Sequence, residues 1–162
     1  MESVIYKPIG LIHTPFKTIE NIPIQNLGAK SIQGNIEIFP EYAEGLIDLD
    51  GFSHIILLYH MHKVGYSKLK VKPFLDTIEH GIFATRSPVR PNPIGLTVVK
   101  LIGIDGTSMT IEDIDMLDNT PLLDIKPCLP MIDDITDVRL GWLTGKLEEF
   151  KMKKSDDRFV KQ

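Results

Sequence analysis

Two β-rich runs, IGLTVVKLIGID (94–105) and SMTIEDID (108–115), meet across Asp105-Gly106, and this pair constrains the fold more than any other feature of the chain. β-Branched and apolar residues dominate both runs, and an Asp-Gly step between such runs predicts a tight antiparallel hairpin. Further strand candidates surround it. SHIILLYHMHK (53–63) is the most strongly apolar stretch, and its lack of clear alternation marks a strand central in a sheet. VIYKPIGLIHT predicts a first, buried strand from Val4 to Thr14, ended by Pro15. SIQGNIEIF (31–39) reads as a strand in which Gly34 marks a bulge or a close backbone approach. IFAT (82–85) and Leu122–Ile125 add two more extended pieces.

Helical signals are weak and local. Pro40 at a first-turn position, followed by Glu41 and Glu44, predicts a short helix at 40–47. Trp142, Leu143, Leu147 and Phe150 suit a short amphipathic helix after Gly145. Strands and helices do not alternate regularly, so the architecture is mainly β. Residues 17–29 and 64–80 read as long loops, the second either a lid or a plain connection.

At 162 residues and 43% hydrophobic content the chain suits one domain, residues 1–150, followed by a basic tail at 151–162 that contains Lys151, Lys153 and Lys154. The apolar runs are too short for a membrane span or a secretory signal, and the single cysteine, Cys128, excludes an internal disulfide; a cytoplasmic protein is expected. The net charge of −4 argues against broad phosphate gripping, although Arg86, Arg90, Lys100 and Lys126 leave room for a local basic surface.

The polar element most suited to a site is GIFATRSPVRPNPIGLT, residues 81–97. Arg86, Arg90 and Asn92 lie among Pro88, Pro91 and Pro93, and prolines that fix φ leave such a loop little conformational freedom to lose. A guanidinium there is suited to bidentate recognition of a carboxylate or phosphate. His54, His60 and His62 share one face of a period-two strand, but no third ligand is placed by motif, so no metal is assigned. Asp124 and Lys126 also face one way just before Pro127, either as the polar edge of a pocket or as a salt-bridged strand end.

FATRSPVRPNPIGLTVVKL together with LDNTPLLDIKPCLP (117–130) resembles the signature pair of the TsaA-like (TrmO) family, with similarity over roughly residues 5–145. The resemblance implies a small antiparallel β-barrel with short flanking helices, assembled as a homodimer. It implies S-adenosyl-L-methionine as cofactor, bound by Pro23, Ile24, Gln25, His62, Lys63, Arg86, Leu96, Asp124, Ile125, Lys126 and Pro127. It also implies methyl transfer to threonylcarbamoyl-adenosine next to the anticodon of tRNA. Methylation of a small-molecule acceptor, or non-catalytic binding of cofactor or RNA, are the alternatives. Arg90 and Asn92 are assigned to the acceptor, and no residue is assigned as general base. Two positions depart from the family pattern. Asn119 stands where Gly is usual, and Asn tolerates the left-handed backbone that Gly would supply. Cys128 stands where Tyr is usual, which bears on the acceptor rather than on the fold. Longer members carry a C-terminal extension beyond this sequence, so RNA binding by such an extension is not assumed.

Overall fold

Alternation decides the longest strand. Gly95, Thr97, Val99 and Leu101 are buried, whereas Leu96 and Lys100 between them are exposed, so one face of the run points inward along its length. The computed structural model describes residues 3–20, 22, 23, 29–129 and 139–156. Its strands are β1 (Gly10–His13), β2 (Gln33–Ile38), β3 (His54–His60), β4 (Lys70–Val71), β5 (His80–Gly81), β6 (Ile94–Asp105), β7 (Ser108–Glu112) and β8 (Thr120–Pro127). Six of them close into an antiparallel barrel in the order β1-β2-β7-β6-β3-β8, and β4 and β5 form a separate two-stranded ribbon. The expected small β-barrel is therefore the fold observed. Closure removes the exposed edges that an open sheet would present.

The inward faces supply the core. Ile12, Ile36, Ile55, Leu57, Val99, Met109, Ile111 and Leu122 are all fully buried in it. Each such side chain contributes about 1.5–3 kcal/mol relative to exposure. β3 is central as expected, paired with β6 on one side and β8 on the other. Its alternation is nevertheless present: Ile55 and Leu57 point inward, and the run looks continuous only because Ile56 and Leu58 on the other face are also apolar.

The hairpin between β6 and β7 forms where expected, with Asp105 opposite Ser108. Gly106 has φ of 58° and Thr107 has no positive φ, so Gly106 occupies the first central position of a type II′ turn. Gly34 marks a close approach, because a Cβ there would lie 2.6 Å from the His13 carbonyl oxygen and against the Ile114 side chain. Asn119 adopts φ of 58°, the left-handed backbone that its position demands.

Several local expectations change. The first strand begins only at Gly10, where its pairing with β2 and β8 stops, and Val4, Ile5 and Tyr6 before it are exposed. IFAT is a 3-10 turn (Ile82–Ala84) rather than a strand, closed by the Thr85 N–H and hydroxyl, both donating to the Ile82 carbonyl. Residues Pro40–Leu46 are helical, but as a 3-10 helix. β7 stops at Glu112 because Asp113 turns to φ of 67°. The 64–80 segment contains β4 and the first residue of β5 and helps build a second small core of Val71, Ile82 and Val89. The expected C-terminal helix is α1 (Leu147–Met152). No described helix is long and apolar enough to cross a membrane.

Candidate functional site

One end of the barrel carries a cavity of 460 Å³. β3 ends there at Tyr59, with Met61 just beyond it, β6 begins there at Ile94–Leu96, and β8 begins there at Thr120. The connection from β7 to β8 adds Asp115, Met116 and Leu117, and the loop after β1 adds Ile19, Ile22 and Pro23. The turn after β3 contributes His62, Lys63 and Val64, and the Pro-rich loop contributes Thr85, Arg86, Pro88 and Arg90. A concave, largely apolar site of this size with a few convergent polar groups suits a small organic ligand.

The Pro-rich loop is held in shape by its own arginine. Arg90 Nη1 donates to the carbonyls of Ile82 and Thr85 at 3.2 and 2.8 Å, and the guanidinium lies 5.7 Å from the centre of the Phe83 ring. The Ser87 N–H donates to Thr85 Oγ1 and the Arg90 N–H to the Pro88 carbonyl. Arg90 thus braces the loop, and Arg86 also reaches the cavity wall.

At the base of the cavity the Tyr59 ring lies against Gly95, its direct cross-strand partner. Burial and then the Asp115 carboxylate push the Tyr59 phenol well above its ordinary pKa, against the opposing pull of the Arg86 guanidinium. Tyr59, Asp115 and Arg86 therefore form one electrostatic group in the cavity. Burial, then Lys63 and His60, lower the His62 pKa, while a hydrogen bond from the His62 ring to the His60 backbone carbonyl works the other way. His62 is accordingly a neutral imidazole at pH 7.

The sequence-predicted residues divide. Pro23, His62, Lys63, Arg86 and Leu96 line this one cavity, and so does Arg90. Asn92 is exposed in the turn before β6 and does not line it. Ile24 and Gln25 lie outside the described residues. Asp124, Ile125, Lys126 and Pro127 run away from the cavity along β8. Asp124 pairs with Leu58, which pairs with Leu96, so Asp124 and Leu96 share the outer face of the barrel two strands apart, about 10 Å. Asp124 and Lys126 form an exposed ion pair at 2.8 Å, one of the two arrangements their spacing allows. His62 falls beyond the end of β3, so the three histidines do not share a strand face. Among the described residues no three potential metal ligands cluster.

Sequence reasoning missed Tyr59, Asp115, Ile22, Ser155 and Asp156, all of which reach the cavity. Tyr59 was hidden inside an apolar strand, and Asp115 in an acidic alternation attached to the hairpin. Ser155 and Asp156 sit in a polar tail with no local signal.

The sequence profile of the tRNA-methyltransferase O N-terminal domain matches residues 11–134. The chain belongs to the TrmO family. Among TrmO relatives, a probable S-adenosyl-L-methionine-binding protein of Pyrococcus abyssi is 49% identical over 96% of this chain and 85% of its own length. A mouse tRNA (adenine(37)-N6)-methyltransferase is 36% identical over 81% of this chain, which spans only 32% of the mouse protein. The crystal structure of TrmO from Pseudomonas aeruginosa superposes with a TM-score of 0.73 at 36% identity, covering 87% of this chain and 63% of that one. The β-barrel is thus the part of the TrmO architecture that this chain shares with its longer relatives.

Proposed function

We propose that this TrmO-family chain is an S-adenosyl-L-methionine-dependent methyltransferase whose acceptor is the threonylcarbamoyl-adenosine next to the anticodon of tRNA. The observation that carries this reading is that Pro23, His62, Lys63, Arg86 and Leu96, from three segments far apart in sequence, line one cavity. The chemistry of that cavity fits the cofactor. Arg86 offers a guanidinium suited to an amino-acid carboxylate, while Met61, Ile94, Leu96 and Leu117 offer apolar walls for a purine ring. Asp115 and Asp156 provide negative charge for the cationic part of the ligand.

When bound, the cofactor supplies an electrophilic methyl group on a sulfonium. The protein's part is positioning: the apolar walls exclude water, and Arg90 keeps the Pro-rich loop in the shape that presents Arg86. Neutral His62 accepts or donates a hydrogen bond there without adding positive charge beside the sulfonium. An amide-like nitrogen acceptor requires alignment and desolvation more than a dedicated base, and no general base is assigned.

The reading includes a cytoplasmic homodimer with the cofactor near the subunit boundary. Asp124 and Lys126, whose side chains stand on the outer wall of the 124–127 stretch, then complete a site with surfaces from both copies. Lys126→Ala is expected to weaken cofactor binding measured by calorimetry without added metal, and so is Gln25→Ala. Wild-type affinity in both variants would detach these segments from the cofactor. A small-metabolite acceptor is the second reading, favoured by the net charge of −4. Mass spectrometry of tRNA nucleosides from a deletion strain separates the two. Loss of the methylated threonylcarbamoyl nucleoside supports the tRNA acceptor; unchanged nucleosides, with turnover on metabolite extracts, support the metabolite.

A further inference from the structure

The family match ends at residue 134, yet within the described segment 139–156 Ser155 and Asp156 line the cavity, and Trp142 and Lys146 anchor the segment beside the Pro-rich loop. Near its start, the Trp142 indole N–H donates to the Ala84 carbonyl at 2.7 Å, at the root of the Pro-rich loop, and the indole stacks on His80 with ring centres 4.6 Å apart. Lys146 Nζ then reaches Asp76 Oδ2 at 2.7 Å. After α1 the chain reaches the loop after β1, where Lys154 bridges to Pro23, a cavity-wall residue. There Ser155 makes three hydrogen bonds to the loop after β1. Its N–H donates to the Ile22 carbonyl at 2.8 Å, its hydroxyl oxygen accepts from the Ile22 N–H at 3.1 Å, and its hydroxyl proton goes to the Ile19 carbonyl. None of these bonds goes to a strand of the barrel. All of them go to loop segments, and Ile19, Ile22 and Pro23 are themselves cavity wall.

We infer that the end of the C-terminal segment, Ser155 and Asp156, is part of the cofactor site, with Ser155 as the positioning residue that fixes Ile19 and Ile22 against the bound ligand. The inference rests on the S-adenosyl-L-methionine reading above and deepens it by naming what holds one wall of that site. A loop that is fixed before the ligand arrives does not have to be ordered on binding, and pre-organisation of this kind appears as affinity. Ser155 suits the role because one residue satisfies both backbone groups of Ile22 and a third group three residues earlier, which locks the loop's local conformation rather than merely touching it. Nothing in the sequence signals this, because the partners lie more than 130 residues apart.

The test is titration calorimetry of the full chain with S-adenosyl-L-methionine and, separately, with its demethylated product. Ser155→Ala removes both hydroxyl bonds and keeps the backbone one. We expect affinity for both ligands to fall about tenfold, equivalent to about 1.4 kcal/mol, with the melting temperature of the unliganded protein within about 4 °C of wild type. Ser155→Thr, which keeps the hydroxyl, is expected to restore affinity to within about threefold, a rescue that loss of general stability would not produce. If Ser155→Ala does not fold, Ser155→Cys supplies an isosteric side chain with a weaker donor and an intermediate loss is expected. Wild-type binding together with unchanged affinity in the folded Ala or Cys variant overturns the inference alone. Absence of binding by the wild-type protein overturns the cofactor reading itself, and the inference with it.

Discussion

Replacing Gly95 by alanine puts a methyl group where the Tyr59 ring lies. The two residues face each other across β3 and β6, and a Cβ on residue 95 would stand 2.8 Å from Tyr59 Cδ2 and closer still to Cε2 and Cζ. Carbon atoms pack favourably at about 3.5–4.0 Å, so relieving the contacts with Cε2 and Cζ moves the ring by more than about 1 Å. The fully buried Leu57 and Leu122 flank it on the barrel side, and the cavity is the open direction. Forced repacking of this kind typically costs about 1–3 kcal/mol. For a chain of this length that lowers the melting temperature by roughly 3–10 °C. Displacement of the ring into the cavity also reduces the room for ligand, so affinity for S-adenosyl-L-methionine falls in the same variant. The assay pairs thermal unfolding with calorimetry and adds Tyr59→Leu and the double variant. If the clash is the cause, the double variant is more stable than the sum of the two single losses by about 1 kcal/mol, the coupling expected of residues in contact. A Gly95→Ala protein with wild-type melting and affinity, or strictly additive losses in the double variant, would refute the reasoning.

Tyr59 also predicts an alkaline weakness. Burial and Asp115 raise its folded-state pKa, so its contribution is intact below the unfolded value near pH 10 and declines above it, as the unfolded chain ionises and the folded one resists. Denaturant titrations at pH 9 and pH 11 should show wild type losing more stability over that interval than Tyr59→Phe; equal losses would remove Tyr59 as the cause. Arg90→Ala removes the guanidinium donor from the Thr85 carbonyl, while the Ile82 carbonyl keeps its bonds from Thr85, so melting temperature and cofactor affinity are expected to fall together, by about 1–3 kcal/mol in stability. Methyl transfer falling tenfold with both of those unchanged would instead assign Arg90 to the acceptor.

The features legible in the sequence were those whose physics is local. Gly106 permits the positive φ of a two-residue hairpin, Asn119 tolerates the left-handed backbone before β8, and β-branched runs of period two build strands whatever lies beside them. A mainly β chain followed from these alone, and the resemblance carried by the Pro-rich loop and LDNTP pointed to the barrel. Local signals misled where tertiary pairing decides. Val4–Tyr6 have strand composition but lie outside the ladders that β1 makes with β2 and β8, and Ile82–Ala84 close a 3-10 turn because Thr85 satisfies the Ile82 carbonyl from its own side. The site divides in the same way. The sequence named Arg86 and Arg90, but only the folded loop turned Arg90 Nη1 back onto two carbonyls. Spacing aligned Asp124 with Lys126, but barrel register set them on the outer wall two strands from Leu96. Ser155 and Asp156 carry no motif at all. They reach the cavity because hydrogen bonds to Ile19 and Ile22 bring the end of the chain back to its beginning, and contacts between residues so far apart in sequence exist only once the barrel has closed.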